Sequence, residues 1–272
     1  GRELLELFSL GVGMDGKFNY TEDDVKAASR AFTGWSVNPA LPVFPYGRSP
    51  WSFRFDPTDH DDSEKTFLGK TGRWNGDDIV NMVAEEPATA RFISRHLYNF
   101  FVSDEPQIPA WKDTPPKDPA AINILQKAFT DNNGEMSEVM RTLFKSDFFK
   151  NARFQKVKSP AEVVAGTVRL VKDHQNVKPG LFPVMKECTF MGQDLLNPPT
   201  VEGWHTGREW IDSGTLVERI NFVADQVGDL DLPGVKLIAD RMTSDASITS
   251  ADAFVDGCLS LIGPVEVSEK TR

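Results

Sequence analysis

Pro87-Ala88-Thr89-Ala90-Arg91-Phe92-Ile93-Ser94-Arg95-His96-Leu97-Tyr98-Asn99-Phe100-Phe101 carries the clearest periodicity in the chain. Pro87 suits the first turn of a helix, because the N–H it lacks would have no intrahelical partner there. Phe92, Ile93, His96, Leu97, Phe100 and Phe101 then return at i, i+4 and i+8, the spacing of one buried stripe. Working outward, 77–86 reads as a short helix on the near side. On the far side Ile122, Leu125 and Phe129 mark one helix, and Val139, Met140, Leu143, Phe144 and Phe148 the next. Ser159 stands where an N-cap belongs, before a helix that Pro160 opens and that turns Val164, Val168 and Val171 inward. Val184, Cys188, Gly192 and Leu195 give another stripe. Leu216, Ile220, Val223 and Val227 give one more, and Phe254, Cys258 and Leu261 the last.

Toward the N-terminus, Leu4, Leu5 and Phe8 form an apolar face that stops at Gly11 and Gly13. Thr21 with Asp24 reads as a capping box with Asp in the usual Glu/Gln place, and Val25, Ala28 and Phe32 continue its helix to Gly34. The expectation is a mainly α protein, an irregular multi-helix domain of about ten helices with no fixed-period repeat. Strand signals are few. Ser52-Phe53-Arg54-Phe55 alternates and is expected to pair with Lys65-Thr66-Phe67-Leu68-Gly69 as a small β-hairpin. Pro39, Pro42, Pro45 and Pro50 mark one extended loop, and Pro106, Pro109, Pro115, Pro116 and Pro119 a second. The reading is one helical domain over 1–272, with 103–119 as the candidate subdomain hinge.

The 272 residues carry 30 Lys and Arg against 40 Asp and Glu, a net charge of −10. That balance repels polyphosphate and anionic lipid, which argues against nucleic-acid or membrane-surface partners. No apolar run reaches the ~18 residues of a membrane-spanning helix. Two cysteines, Cys188 and Cys258, are too few for a disulfide framework; both fall on apolar helix stripes, where either an inert thiol or, if the two helices pack together, a bond between them is expected.

Signals for chemistry are sparse. Asp56, Asp59, His60, Asp61, Asp62 and Glu64 crowd one turn. Carboxylates this close are either solvated or neutralised by a cation, so His60, Asp61 and Asp62 are the candidate metal ligands for a divalent cation. Asp15-Gly16-Lys17-Phe18-Asn19-Tyr20-Thr21 has the look of a calcium loop, but Lys17 and Lys26 occupy acceptor places, so it reads as a turn before a capped helix. His96 lies within the apolar stripe and reads as a core histidine. Arg91 and Arg95, four apart, either clamp an anion or pair with Glu85 and Glu86. Arg2 and Glu6 are expected to pair at i, i+4. Gln193 through Trp210 combines prolines, glycines and two indoles. Trp204 and Trp210 either anchor this loop to the core or offer an aromatic platform beside His205, Arg208 and Glu209. Nucleophile elbows, Walker loops and His-Glu-x-x-His are all absent from the sequence.

Five ordered blocks together carry a resemblance. They are Arg2-Glu3-Leu4-Leu5-Glu6-Leu7 with Leu10-Gly11-Val12, Tyr20-Thr21-Glu22-Asp23-Asp24-Val25 and Thr33-Gly34-Trp35; His60-Asp61 with Lys65-Thr66-Phe67-Leu68-Gly69; and Pro87 to Ile93 with Phe100-Phe101-Val102. Lys158-Ser159-Pro160-Ala161-Glu162 is the fourth, and Gly192-Gln193 with Pro198-Pro199 and Gly203-Trp204 through Trp210 the fifth. From about residue 2 to residue 226 the chain resembles the bacterial family catalogued as domain of unknown function 1800 (DUF 1800). The resemblance implies a longer protein of which this chain is the C-terminal portion, with an upstream helical region. It implies export to the periplasm or the exterior, and a protein partner of sulfatase-like or phosphatase-like appearance encoded nearby. It supplies no activity, cofactor or catalytic residue, and His96 and His205 stand where its members commonly carry other residues. The leading expectation is an exported, non-enzymatic binding or assembly component. The alternative is a metal-assisted hydrolase or accessory enzyme acting on an extracellular polymer, with Arg91, Arg95 or Arg208 orienting an anionic substrate.

Overall fold

The computed structural model describes residues 1–14, 16–38, 51–174, 180–263 and 265–271. Asp15 of the calcium-like loop and the prolines at 39, 42, 45 and 50 lie outside the described residues. Among the described residues there are twelve α-helices, ten of them of ten residues or more, and three two-stranded antiparallel sheets. The protein is mainly α. No described helix is long and apolar enough to cross a membrane. The Cα packing divides the chain into Gly1–Lys156 and Val157–Arg272.

The first unit opens with α1 (Arg2–Glu6), the β1–β2 hairpin (Gly13–Met14 and Lys17–Phe18) and α2 (Glu22–Ala31). The predicted capping box is present: the Thr21 side chain accepts the Asp24 N–H and Asp24 accepts the Thr21 N–H. The second Asp24 oxygen accepts the Leu68 N–H at 2.7 Å, so one carboxylate caps α2 and also fixes a distant turn. β3 (Trp35–Asn38) and β4 (Ser52–Phe55) pair with each other, and β5 (Lys65–Phe67) folds back on β6 (Lys70–Gly72). This corrects the expected pairing of 52–55 with 65–69. Leu68 and Gly69, both at positive φ, turn the chain straight back after Phe67. Gly34, at φ +81°, brings β3 so near the end of β4 that a Cβ there would lie 2.5 Å from the Asp56 carbonyl oxygen.

α3 (Gly76–Glu85) and α4 (Pro87–Phe101) follow, then a 3-10 turn at Ile108–Lys112, α5 (Pro119–Asp131), α6 (Met136–Lys145) and α7 (Asp147–Lys150). Leu5, Ala28, Phe67, Ile79 and Val83 build one core; Tyr98, Ile122, Leu125, Val139 and Leu143 build another on α4, α5 and α6. The α4 stripe does not stay buried along its length. Phe92 is inside, whereas Phe100, in the last turn, is 70% exposed. The loop 103–119 lies within this unit, and the unit boundary falls at 156/157.

The second unit holds α8 (Pro160–Val171), α9 (Leu181–Phe190), a 3-10 turn at Gly207–Trp210, α10 (Ser213–Gly228), α11 (Pro233–Ser244) and α12 (Ala251–Ile262). Ser159 and Glu162 form another capping box, and Val164, Cys188, Met191 and Phe222 are the core of this unit. Here the α10 stripe is corrected. Leu216, Ile220 and Val227 are exposed, and only Val223 of the expected stripe packs against the core, beside Phe222 and with Arg219 also facing inward. One residue along a helix turns its direction by ~100°, so a small difference in seating carries a stripe from core to solvent. The Arg219 guanidinium donates to the Lys158 carbonyl at 2.8 Å, which helps fix α10 in this seating.

Candidate functional site

The acidic turn 56–64 connects two separate hairpins. Thr33 at the end of α2 holds it, accepting the Asp61 N–H on its hydroxyl at 2.7 Å, while its carbonyl lies 2.9 Å from His60 Nδ1. That nitrogen therefore carries the proton. Arg30 Nε donates to Asp61 at 2.7 Å, and Ser63 donates to the same carboxylate from its N–H and its hydroxyl. The Arg30 guanidinium and Ser63 hold the Asp61 carboxyl well below the usual carboxylate range. Lys65, fully buried, donates its ammonium to the carbonyls of Asp61 and Ser63. Asp62 pairs with Arg73 at 3.2 Å on the surface. The positive charge facing this turn is thus the chain's own, from Arg30, Lys65 and Arg73. Among the described residues no three His, Cys, Asp or Glu side chains form a group that could hold a metal ion.

Arg95 does not pair with Glu85 or Glu86. Its Nε and Nη2 both reach Glu105, at 3.0 and 2.6 Å, with both side chains buried. The other Glu105 oxygen accepts the Lys117 N–H at 2.8 Å, and Asn99 accepts the Glu105 N–H at 2.8 Å. Trp111 lies under Arg95, with its ring centroid 4.4 Å away, and gives its indole N–H to the Pro106 carbonyl at 2.8 Å. Lys156 adds bonds to the Asn99 carbonyl and to Asp104. The proline-rich loop is therefore latched onto α4 by buried charge. Arg91 is half-buried and has no ion-pair partner among the described residues. His96 packs between the Phe92 and Trp111 rings, at 4.5 and 4.7 Å between centroids. Burial, and secondarily the Arg95 charge, push it down to about 4. It is a neutral core histidine at ordinary pH.

In the second unit the two indoles do not form one platform. Trp210 is buried, and its carbonyl accepts the Thr215 hydroxyl at 3.1 Å; half-buried Trp204 gives its N–H to the Asp194 carbonyl at 3.1 Å. Both fasten the loop. His205 pairs with Glu209 at 2.7 Å, and Arg208 is exposed. Cys188 is buried and Cys258 half-buried, and both are free thiols; burial pushes the Cys188 thiol up, away from reactivity.

Beside α1 lies a cleft that the sequence pattern does not announce. Arg2 does not pair with Glu6, as its i, i+4 spacing suggested, but with Glu22, its Nη2 lying 2.8 and 2.6 Å from the two carboxylate oxygens. Glu6 instead accepts the Tyr20 hydroxyl at 3.3 Å. Burial, and then the Glu6 charge, push the Tyr20 phenol up to about 12. These four residues line a space of about 580 Å³ that Pro109 and Lys112 close from the 3-10 turn. The local signal was present in the charged face Arg2, Glu3 and Glu6, but Lys112 lies too far along the chain for spacing to bring it there.

None of the curated proteins and none of the solved structures matches the chain. A family model does, over residues 1–272, which extends the resemblance past residue 226 through the last helix. Its description is "Protein of unknown function (DUF1800)", and with the match spanning every residue, this chain belongs to the DUF1800 family.

Proposed function

We propose that the chain acts as a non-enzymatic binding or assembly component, exported to the periplasm or the exterior, whose partner is a sulfatase-like or phosphatase-like protein encoded nearby. One observation carries the reading. Asp61 and Arg95, two of the groups best suited to chemistry, are held by Arg30 and Glu105, while α10 turns Leu216, Val217 and Ile220 to solvent. Asp61 is taken by Arg30, Asp62 by Arg73 and Arg95 by Glu105.

The test is titration calorimetry between the purified protein and that neighbouring gene product. Binding at micromolar strength or tighter is expected, weakened about tenfold or more by Ile220→Asp on the exposed stripe. Elemental analysis of the natively purified protein runs beside it. A stoichiometric divalent metal, lost in both His60→Ala and Asp61→Ala, would overturn the binding reading in favour of the metal-assisted hydrolase.

A further inference from the structure

We infer that the cleft between the β1–β2 hairpin, the start of α2 and the 3-10 turn at Ile108–Lys112 binds a small zwitterionic ligand of the amino-acid or short-peptide class, its ammonium at Glu6 and its carboxylate at Lys112. The volume, about 580 Å³, falls in the ~300–1,000 Å³ range of small-molecule sites.

The charges along the walls divide into committed and uncommitted ones. Arg2 and Glu22 are fixed on each other and cancel. Glu6 spends one oxygen, Oε2, on the Tyr20 hydroxyl. Its Oε1 has no hydrogen-bond partner among the described residues, and neither has the Lys112 ammonium. One anion and one cation are therefore left on the same space. A ligand of a single sign would desolvate the opposite wall without pairing it, and that costs affinity. A ligand bearing both signs meets each wall with its complement.

The body of such a ligand has a surface to lie on. Phe18 in β2 is 75% exposed, a ring that water surrounds until something covers it, and Val12 and Pro109 continue the apolar lining. The Tyr20 phenol keeps its proton through the ordinary pH range, so it remains a donor to Glu6 and holds that carboxylate's direction. The cleft is distinct from the α10 stripe, so this inference and the proposed function can fail separately.

Isothermal titration calorimetry with trialanine, N-acetyl-trialanine, trialanine amide and maltotriose tests it. Trialanine is expected to bind with Kd below ~1 mM, and blocking either end to weaken binding about tenfold. Glu6→Gln should make the protein indifferent to N-acetylation, and Lys112→Met indifferent to C-terminal amidation. Lys112 is exposed, so its variant keeps the fold and decides the matter alone if Glu6→Gln does not. No saturable heat with trialanine, blocked peptides that bind as tightly as trialanine, or binding of maltotriose in place of trialanine each overturns the inference.

Discussion

Arg95 lies 2.6 Å from a Glu105 carboxylate that water does not reach, and its own side chain is 6% exposed. Removing one member leaves the other charge buried and unpaired, which is far more costly than the net worth of the pair. Arg95→Met is expected to lower stability by about 3–5 kcal/mol, read from urea unfolding. A loss under about 1 kcal/mol would show that the loop 103–119 is held by its apolar contacts. Beside it, His96 sets a pH dependence. Its folded pKa, about 4, lies below the ~6.5 of an unfolded histidine, so the unfolded chain takes the proton first as pH falls. The stability His96 contributes is complete above ~6.5 and is lost progressively as pH falls toward about 4, by at most about 3 kcal/mol. His96→Phe should flatten the dependence of urea midpoints over that window, and an unchanged slope would assign it to other groups.

At the scale of the element, α10 separates periodicity from placement. Its apolar residues recur as a helix requires, yet Phe222 enters the core while Ile220 stands 58% exposed. Phe222→Ala is therefore expected to cost about 3–5 kcal/mol through the cavity it leaves, and Ile220→Ser to stay within about 0.5 kcal/mol. Thermal melts of the two variants check the pair; equal losses would mean that α10 is seated in the rotation the sequence suggested. The β3–β4 hairpin carries the same lesson for strands. The alternation in Ser52–Phe55 announced a strand correctly, but its partner is Trp35–Asn38, whose signal is weaker, and not the better-patterned Lys65–Phe67. Alternation specifies a face, whereas the partner is chosen by which backbone arrives alongside. Here α2 delivers it through Gly34, with the Asp56 N–H donating to the Gly34 carbonyl at 2.8 Å.

Over the whole molecule, what sequence reading reached is what lies within one or two helical turns. The mainly α class, the number of helices and the caps at Thr21 and Ser159 follow from residues three or four apart, whose proximity a helix guarantees. Membership of the DUF1800 family was likewise legible from short strings of neighbouring residues, and the family match over residues 1–272 bears it out. The partners of the charges were not. Arg2 takes Glu22 over Glu6, Arg95 takes Glu105 over Glu85 or Glu86, and Arg30 reaches Asp61 across the chain. In each case the packing of distant segments decided which carboxylate the cation met, and only Arg95 meets its partner away from water. The acidic turn at His60, Asp61 and Asp62 was recognisable as a concentration of charge. That Arg30, Lys65 and Arg73 face it was decided by the tertiary structure. Composition and local pattern thus determined the elements and their ends. Which face each helix buries, which groups stay free, and the cleft at Glu6 and Lys112 were settled only when distant segments packed, because burial is a property of neighbours that no single stretch of sequence contains.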